Sequence, residues 1–199
     1  VQETYFRAVD SGAPATVLNG LAASYYDVRA GLGDGKSPQE YGAFPMDPYS
    51  HTPAQAGARQ PGLTGQVKED ILCRRGELGV FVSSGKIHFR PLLLRREEFL
   101  RTPSDFRYFD LGGAARRLQL PANALAFTLC QTPIIYQLGR ATSAARFGRA
   151  RQVPAAGQYD SLTLIYANGT RQRFTSLELD PEVSRAIFDR KGSIQRIVV

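Results

Sequence analysis

The stretch VFVSSGKIHF, residues 80–89, marks a change in the hydrophobic period of the chain. Strand-forming residues flank Ser84-Gly85 on both sides, which predicts a β-hairpin with its turn at that dipeptide. Before Val80 the apolar residues recur at helical spacing, and after it the period is close to two. The sequence therefore predicts an α+β chain, with a helical segment over residues 1–79 and an antiparallel β-sandwich domain over residues 80–199.

Two further hairpins are predicted in the second half. Residues 106–120 repeat the pattern, with Gly112-Gly113 at the turn. Residues 161–179 give the clearest hairpin, because Asn168-Gly169 is typical of a type I′ turn with positive φ at both central residues. The domain is expected to begin near Val80 and to hold at least six strands, mostly antiparallel.

The remainder of the second half supplies two strands and a helix. Residues 125–138 are interpreted as one long apolar strand, bent at Pro133 because proline cannot donate to a ladder. Asp180 is the predicted N-cap of a short helix, with Pro181 in its first turn. SIQRIVV, residues 193–199, closes the domain as its last strand. The pattern predicts a β-sandwich or curved sheet with one small helix.

The first half carries two predicted helices. Residues 15–32 have one apolar face, and a second helix begins at Thr64 and ends at Gly76 or Gly79. Two helices alone cannot bury an apolar face on both sides. The chain begins without Met, and its one Met is Met46. We therefore expect a trimmed piece of a larger protein, in which these helices complete an upstream helical domain.

The segment between the two helices is long and unusual in composition. Residues 44–70, FPMDPYSHTPAQAGARQPGLTGQVKED, contain four of the twelve prolines and one of the two histidines. Loops of this length inside a compact domain are either functional or disordered. Its aromatic residues, with Tyr41 before it, favour an ordered loop over residues 39–64.

Net charge and hydropathy bear on whether the chain binds nucleic acid or crosses a membrane. The formal net charge is +7, and arginine greatly outnumbers lysine. The arginines are scattered, and no basic block is present, so we predict no nucleic-acid partner and keep a basic nucleic-acid-binding domain as a weaker alternative. No apolar run reaches the roughly 18 residues that a membrane-spanning helix needs.

The sequence lacks the residue patterns of several common functional sites. Cys73 and Cys130 lack metal spacing, and we expect free thiols rather than a disulfide, although one bridge is possible on number alone. His51 and His88 form no H-x-x-x-H motif, so no metal site is predicted. His88 is interpreted as a surface residue of a strand. No phosphate-binding loop, dinucleotide fingerprint or nucleophile elbow occurs, and no cofactor is predicted.

Two motifs of the loop carry a family resemblance. They are DPYSHTP, residues 47–53, and QPGLTGQVKE, residues 60–69. With the β-rich second half, they resemble the C-terminal region of large bacterial proteins of the six-hairpin glycosidase type. The resemblance implies that the helices end an (α/α)-barrel buttressed by a β-sandwich. It also implies carbohydrate as partner, the loop at the barrel mouth, and a periplasmic or secreted location. It assigns no catalytic residue.

Polar and aromatic residues of this loop are the substrate-binding candidates. Planar amides suit vicinal hydroxyls, an aromatic ring suits the C–H face of a sugar, and imidazole titrates near neutrality. Each residue also has an architectural interpretation as a loop-ordering hydrogen bond or a helix first-turn acid. We expect Asp47 and His51 to share one concave surface with Gln66 or Glu69. The candidates are Asp47, Tyr49, His51, Gln60, Gln66 and Glu69.

The leading interpretation is the C-terminal part of a bacterial carbohydrate-active, glycoside hydrolase-like protein, with loop 39–70 contributing to a sugar-binding cleft. Most of the catalytic residues would then lie in the upstream part, and the present chain alone would be incomplete. The alternative is a non-catalytic β-sandwich module for binding or structure. Whether the chain itself is enzymatic stays open at this point.

Overall fold

The computed structural model of the protein describes residues 1–31, 64–139 and 159–199. It shows an α+β fold, as predicted, and divides into two compact units, Val1–Gly76 and Glu77–Val199. In the described ranges, no helix combines the length and apolar character needed to cross a membrane. Cys73 and Cys130 are both free thiols, as expected.

The first unit is helical. Helices α2, Ala15–Gly31, and α3, Thr64–Glu77, match the predicted segments closely. Helix α1, Gln2–Asp10, was not predicted, because its short apolar face amounts to Tyr5 and Phe6, which are buried. Their rings meet edge to face at 5.6 Å between centroids. This local aromatic pair gives a nine-residue helix an apolar anchor.

A polar side chain of α1 joins the three helices. The Nε2 amide of Gln2 donates to the carbonyl oxygen of Cys73 in α3 at 2.9 Å and lies 3.3 Å from the hydroxyl oxygen of Tyr25 in α2. Tyr25 and Ala22 are the buried apolar residues of α2. Gly76 accommodates this arrangement, because a Cβ atom at that position would collide with the Gln2 side chain.

The second unit holds nine described strands and one α-helix. The first hairpin has its turn at Ser84-Gly85, as predicted, with positive φ at both residues. A 3₁₀ turn, Arg96–Glu98, follows it. The strands are β1 Val80–Ser83, β2 Lys86–Phe89, β3 Ser104–Phe109, β4 Ala115–Leu120, β5 Ala124–Leu129, β6 Thr132–Gln137, β7 Leu162–Tyr166, β8 Arg171–Phe174 and β9 Ile194–Val198, and helix α4 spans Pro181–Phe188.

The strands form two hairpins and one five-stranded sheet. The sheet has the order β5-β6-β9-β7-β8, while β1-β2 and β3-β4 are separate two-stranded ribbons. Pairing is antiparallel throughout the described strands except between β6 and β9, which run parallel. The expectation of at least six mostly antiparallel strands is confirmed, and the parallel pair is its one departure.

The five-stranded sheet is buried on both faces because its central strands are apolar on both sides. Ile134 and Ile197 face the main core, which contains Ile87 and Phe89 of β2 and Ile187 of α4. The alternate residues Ile135 and Val198 face a second cluster, with residues of β3 and β4. The sheet is therefore covered by β1, β2 and α4 on one side and by the β3-β4 ribbon on the other.

Tyr136 lies at the centre of the main core. Its ring is fully buried and meets Phe89 edge to face at 6.3 Å. Burial raises the pKa of its phenol well above the usual value, and the hydroxyl donates to the carbonyl oxygen of Leu78. A buried tyrosine whose hydroxyl is satisfied in this way packs as a large apolar residue without an unpaired polar atom.

The interpretation of residues 125–138 as one strand bent at Pro133 was wrong. The segment is a hairpin of β5 and β6 that turns at Cys130-Gln131, where φ is +48° and +65°. Positive φ at both central residues is the type I′ geometry, which glycine or asparagine usually signals. Pro133 faces Thr128, and pairing with β9 begins only at Ile134. The proline thus precedes the part of β6 that pairs on both sides.

Two smaller details also differ from expectation. Gly169 has positive φ but Asn168 does not, so the β7-β8 turn is not type I′. The Asn168 side chain instead accepts a hydrogen bond from the Thr170 N–H, which stabilises a longer turn. At α4, Asp180 takes the N-cap position and Pro181 the first turn, but the Asp180 side chain makes no capping hydrogen bond.

Candidate functional site

The residues proposed from the sequence fall largely outside the described part of the chain. Asp47, Tyr49, His51 and Gln60 lie outside the described residues. Gln66 and Glu69 lie in α3. The expectation that these residues share one concave surface stays a prediction.

The β3-β4 ribbon presents two chemically different faces. Side chains alternate along a strand, so Phe106 and Tyr108 share one face of β3, while Arg107 and Phe109 share the other. Phe106 packs on the second apolar cluster, together with Leu118 of β4. We call this covered side the inner face of the ribbon.

The inner face is stiffened by its own aromatic residues. Phe106 and Tyr108 stack with ring centroids 5.6 Å apart and an interplanar angle of 15°. Leu120, at the end of β4, is buried in the same cluster as Ala124 and Ile135. The ribbon is therefore held against the five-stranded sheet along one side, which leaves the other side in solvent.

The outer face of the ribbon carries six exposed side chains in three cross-strand pairs. Arg107 lies opposite Arg117, and Phe109 lies opposite Ala115. Phe109 is 65% exposed, more than any other large apolar side chain in the described ranges. The outer face consists of Asp105, Arg107, Phe109, Ala115, Arg117 and Gln119.

The charges of the outer face are not balanced. Arg117 lies 3.4 Å from Asp105, between Nη1 and Oδ2, whereas Arg107 has no ion-pair partner among the described residues. Like charges directly opposite each other on adjacent strands destabilise the pair. Two guanidinium groups and one carboxylate leave this face with one net positive charge next to an exposed aromatic ring.

The turn of the ribbon is ordered by Asp110. Its Oδ1 atom accepts from the backbone N–H groups of Gly112 and Ala114, at 3.0 and 2.9 Å, and its Oδ2 atom accepts from Nε of Arg116 at 2.6 Å. The hydrogen bond from Arg116 is the main reason that the pKa of Asp110 lies below its usual value. Gln131 of the β5-β6 turn donates to the Asp110 carbonyl oxygen at 3.1 Å. The turn is thus fixed locally and tied to a neighbouring hairpin.

A depression of about 340 Å³ lies on this ribbon. The site offers an aromatic ring, guanidinium donors and, nearby, carboxylate acceptors. It is lined by Arg107, Tyr108, Phe109, Ala115, Arg116 and Arg117.

A second polar cluster lies where residues 177–179 pair with β2, and we call it the β2 seam. Lys86 donates to Oε1 of Glu178, and Nδ1 of His88 lies 3.2 Å from Oε2 of Glu178. The pKa of Glu178 is lowered chiefly by the hydrogen bond from Lys86, and the pKa of Lys86 is raised by the same contact. His88 is half-buried rather than the surface residue that the sequence predicted, and its enclosed Nε2 has no hydrogen-bond partner among the described residues.

Backbone and hydroxyl contacts show that the β2 seam is architectural. Phe89 donates its N–H to Leu177 at 2.8 Å, and Leu179 donates its N–H to Ile87 at 2.9 Å. Oγ of Ser184, in α4, accepts the Ile87 N–H at 3.0 Å. These contacts join the hairpin, the incoming segment and α4. Nε2 of His88 is enclosed, so the imidazole does not present that nitrogen to a substrate.

The described residues contain no group of three or more His, Cys, Asp or Glu side chains that could hold a metal ion. No protein-family model matches the chain, and no curated protein is significantly similar to it.

The ribbon residues were not among the candidates proposed from the sequence. The pattern FRYFDLGGAARRLQL predicts the hairpin and its alternation, so it places Arg107 and Phe109 on one face. Pairing across Gly112-Gly113 further predicts that Arg107 and Arg117 lie near each other. The pattern does not show which face is covered, because both faces of β3 carry aromatic residues.

Proposed function

We propose that the β-rich unit is a carbohydrate-binding module of a carbohydrate-active protein, and that the outer face of the β3-β4 ribbon binds the sugar chain. The observation that carries this proposal is the exposure of Phe109 beside Arg107 and Arg117 on a ribbon whose opposite face is packed. Because the strand beneath Phe109 is held by its packed inner face, the backbone loses little conformational entropy when a ligand covers the ring.

The residue types on this face suit a sugar ring. The apolar C–H side of a pyranose can stack on the Phe109 ring, which gains by covering exposed apolar surface. Guanidinium groups donate to ring and hydroxyl oxygens, and Asp105 and Gln119 supply acceptors for hydroxyl hydrogens. Donors and acceptors beside an aromatic platform match a ligand that carries both kinds of group on a rigid ring.

The same face is less suited to nucleic acid. Arg117 forms an ion pair with Asp105, and Arg116 forms an ion pair with Asp110 at the turn. Binding sites for single strands use a continuous positively charged groove with several stacked bases, and the ion pairs of Arg116 and Arg117 leave no such groove on this face. The outer face of the ribbon offers one aromatic ring and one net positive charge, which favours a hydroxylated ligand.

The helical unit supports the broader proposal of a glycosidase-like parent protein. Ile71 and Leu72 of α3 are each 61% exposed. Apolar side chains on an exposed helix favour cover by further helices, as in a helical barrel. We propose that a further helical domain of the same chain packs here, and that loop 39–70 contributes to its sugar-binding cleft. Glycoside hydrolase chemistry would then depend on residues beyond those described.

The ribbon proposal is tested by sugar binding to the 199-residue chain. Affinity electrophoresis through a panel of soluble plant, algal and bacterial polysaccharides measures retardation, and calorimetry on the best ligand gives the Kd. Phe109→Ala should weaken binding at least about tenfold, since the lost stacking is of the order of 1.4 kcal/mol. Phe188→Ala is the matched control, because Phe188 is a partly exposed phenylalanine of α4. Equal loss in both variants, or retardation by no polysaccharide, would overturn the proposal.

The loop proposal requires the intact parent protein. Asp47→Asn and His51→Ala should lower polysaccharide turnover or binding and leave the melting temperature unchanged if the loop forms part of the site. A lower melting temperature with unchanged activity per folded molecule would show that the loop is architectural.

A further inference from the structure

The unbalanced charge on the outer face points to the class of sugar. Arg107 has no ion-pair partner among the described residues and lies directly opposite Arg117. Directly opposed residues of an antiparallel pair have Cβ atoms about 4.5 to 5.5 Å apart. Two guanidinium groups from such positions can reach a single anion between them. A bound anion would also remove the repulsion between the two arginines.

We infer that the sugar chain carries carboxylates, as in polymers of uronic acids, and this inference rests on the proposed function of the ribbon. A planar carboxylate matches the planar, forked donors of arginine and forms charge-assisted bonds about twice as strong as neutral ones. Asp105 takes part of the Arg117 charge. Arg107 is therefore the principal partner of the carboxylate.

The spacing of the face agrees with this ligand. Arg107 and Phe109 are two residues apart on one strand, and a strand rises about 3.4 Å per residue. Their side chains thus lie about 7 Å apart along the ribbon, comparable to the length of one sugar ring with its acidic substituent. A uronic acid ring on Phe109 would direct its carboxylate toward Arg107 and Arg117.

The probes are three acidic polysaccharides, polygalacturonate, alginate and hyaluronate, each beside a form in which the carboxyl groups are methyl-esterified or reduced. The acidic and the neutral form of each polysaccharide share one sugar chain and differ in charge. The difference between their affinities therefore measures what the carboxylates contribute to binding. At least one acidic polymer should bind about tenfold or more tightly than its neutral form. The preference should shrink as salt is added, because exposed charges are screened.

Substitutions in the ribbon test whether its residues cause the preference for the acidic form. Arg107→Ala should abolish the difference between the acidic and neutral forms, and Arg107→Lys should restore only part of it, because lysine lacks the forked donor geometry. Arg171→Ala is the matched control, an exposed arginine of the β7-β8 hairpin. Phe109→Ala should weaken both forms alike. A circular dichroism spectrum and a melting curve for each variant exclude misfolding as the cause.

The outcomes separate this inference from the proposed function. If acidic and neutral forms bind equally and Phe109→Ala weakens both, the ribbon binds sugar and the acidic inference is wrong. If no polysaccharide binds, both are wrong. If dextran sulfate binds as tightly as the best polyuronate, the ribbon recognises anions generally and the carboxylate assignment fails. Tighter, Arg107-dependent binding of single-stranded oligo-dT would replace both proposals with a nucleic-acid surface.

Discussion

The β2 seam and the outer face of the β3-β4 ribbon both contain charged side chains, but they differ in how completely the fold pairs those charges. In the seam, Glu178 contacts both Lys86 and His88, and the backbone beside it pairs with β2. On the outer face, Arg107 has no such partner in the described ranges, and its cross-strand neighbour is another arginine. Polar groups that the fold satisfies hold elements together, and those that the fold leaves unbalanced are available to a ligand.

The strongest test of this contrast compares two phenylalanines, one from each hairpin. Phe89 of β2 is fully buried, so Phe89→Ala should lower the free energy of unfolding by about 3 to 5 kcal/mol. Phe109→Ala on the exposed ribbon should change it by less than about 0.5 kcal/mol. Urea unfolding followed by circular dichroism measures both. A large cost for Phe109→Ala would mean that its ring serves stability rather than binding.

A smaller effect is expected at the hydroxyl that supports the seam. Ser184 is fully buried, and its Oγ accepts the Ile87 N–H. Ser184→Ala leaves that N–H buried without an acceptor and should cost about 1 to 3 kcal/mol of unfolding free energy. Ser176→Ala is the control: its Oγ donates to the Glu178 carbonyl oxygen at 3.3 Å, but this contact is exposed and its loss should cost less than about 0.5 kcal/mol. Equal costs would contradict the architectural role of the Ser184 contact.

The smallest expected effect is the contribution of the β2 seam to the pH dependence of folding stability. The pKa of Glu178 lies below its ordinary 4.5, so its pairing stabilises the fold above that pH and is lost as the pH falls through the lowered value. The pKa of Lys86 lies above its ordinary 10.5, so its contribution is present below that pH and is lost as the pH rises through the raised value. Glu178→Gln should therefore flatten the curve of stability against pH at both ends.

Urea midpoints measured from acid to alkaline pH test this expectation. Both groups are exposed to solvent, so the change should be modest and should weaken with salt. Glu182→Gln, an exposed residue in the first turn of α4, is the control. If the urea midpoints of Glu178→Gln change with pH as those of the unchanged protein do, at both acid and alkaline pH, the ion pair does not contribute to stability.

Turn chemistry explains which hairpins could be predicted from the sequence. Ser84-Gly85 and Cys130-Gln131 both have two residues with positive φ, but only the first contains glycine. Glycine adopts that conformation without a steric cost, so it marks a turn, while Cys and Gln give no such signal. The second hairpin forms because the apolar residues of β5 and β6 are buried by the rest of the sheet, and that long-range burial overrides the local preference.

The candidate site was harder to predict than the fold. Alternation places Arg107 and Phe109 on one face of β3, but their exposure depends on which face meets the cluster around Ile135. Glu178 lies ninety residues from His88 in the sequence, so neither residue indicates the other. Composition and a family resemblance made the loop motifs candidates, whereas the ribbon becomes a candidate only when strand register and burial are known together.

The position of β9 sets the order in which this unit can mature during synthesis. β9 is the last described strand in the sequence, yet it sits between β6 and β7, where Ile197 pairs with both. A nascent chain therefore carries the edges of β6 and β7 open until β9 leaves the ribosome, and such late non-local pairing slows folding. Val198 of β9 also packs against the cluster beneath the β3-β4 ribbon. The packed support of the surface proposed to bind sugar is thus complete only after β9 has docked.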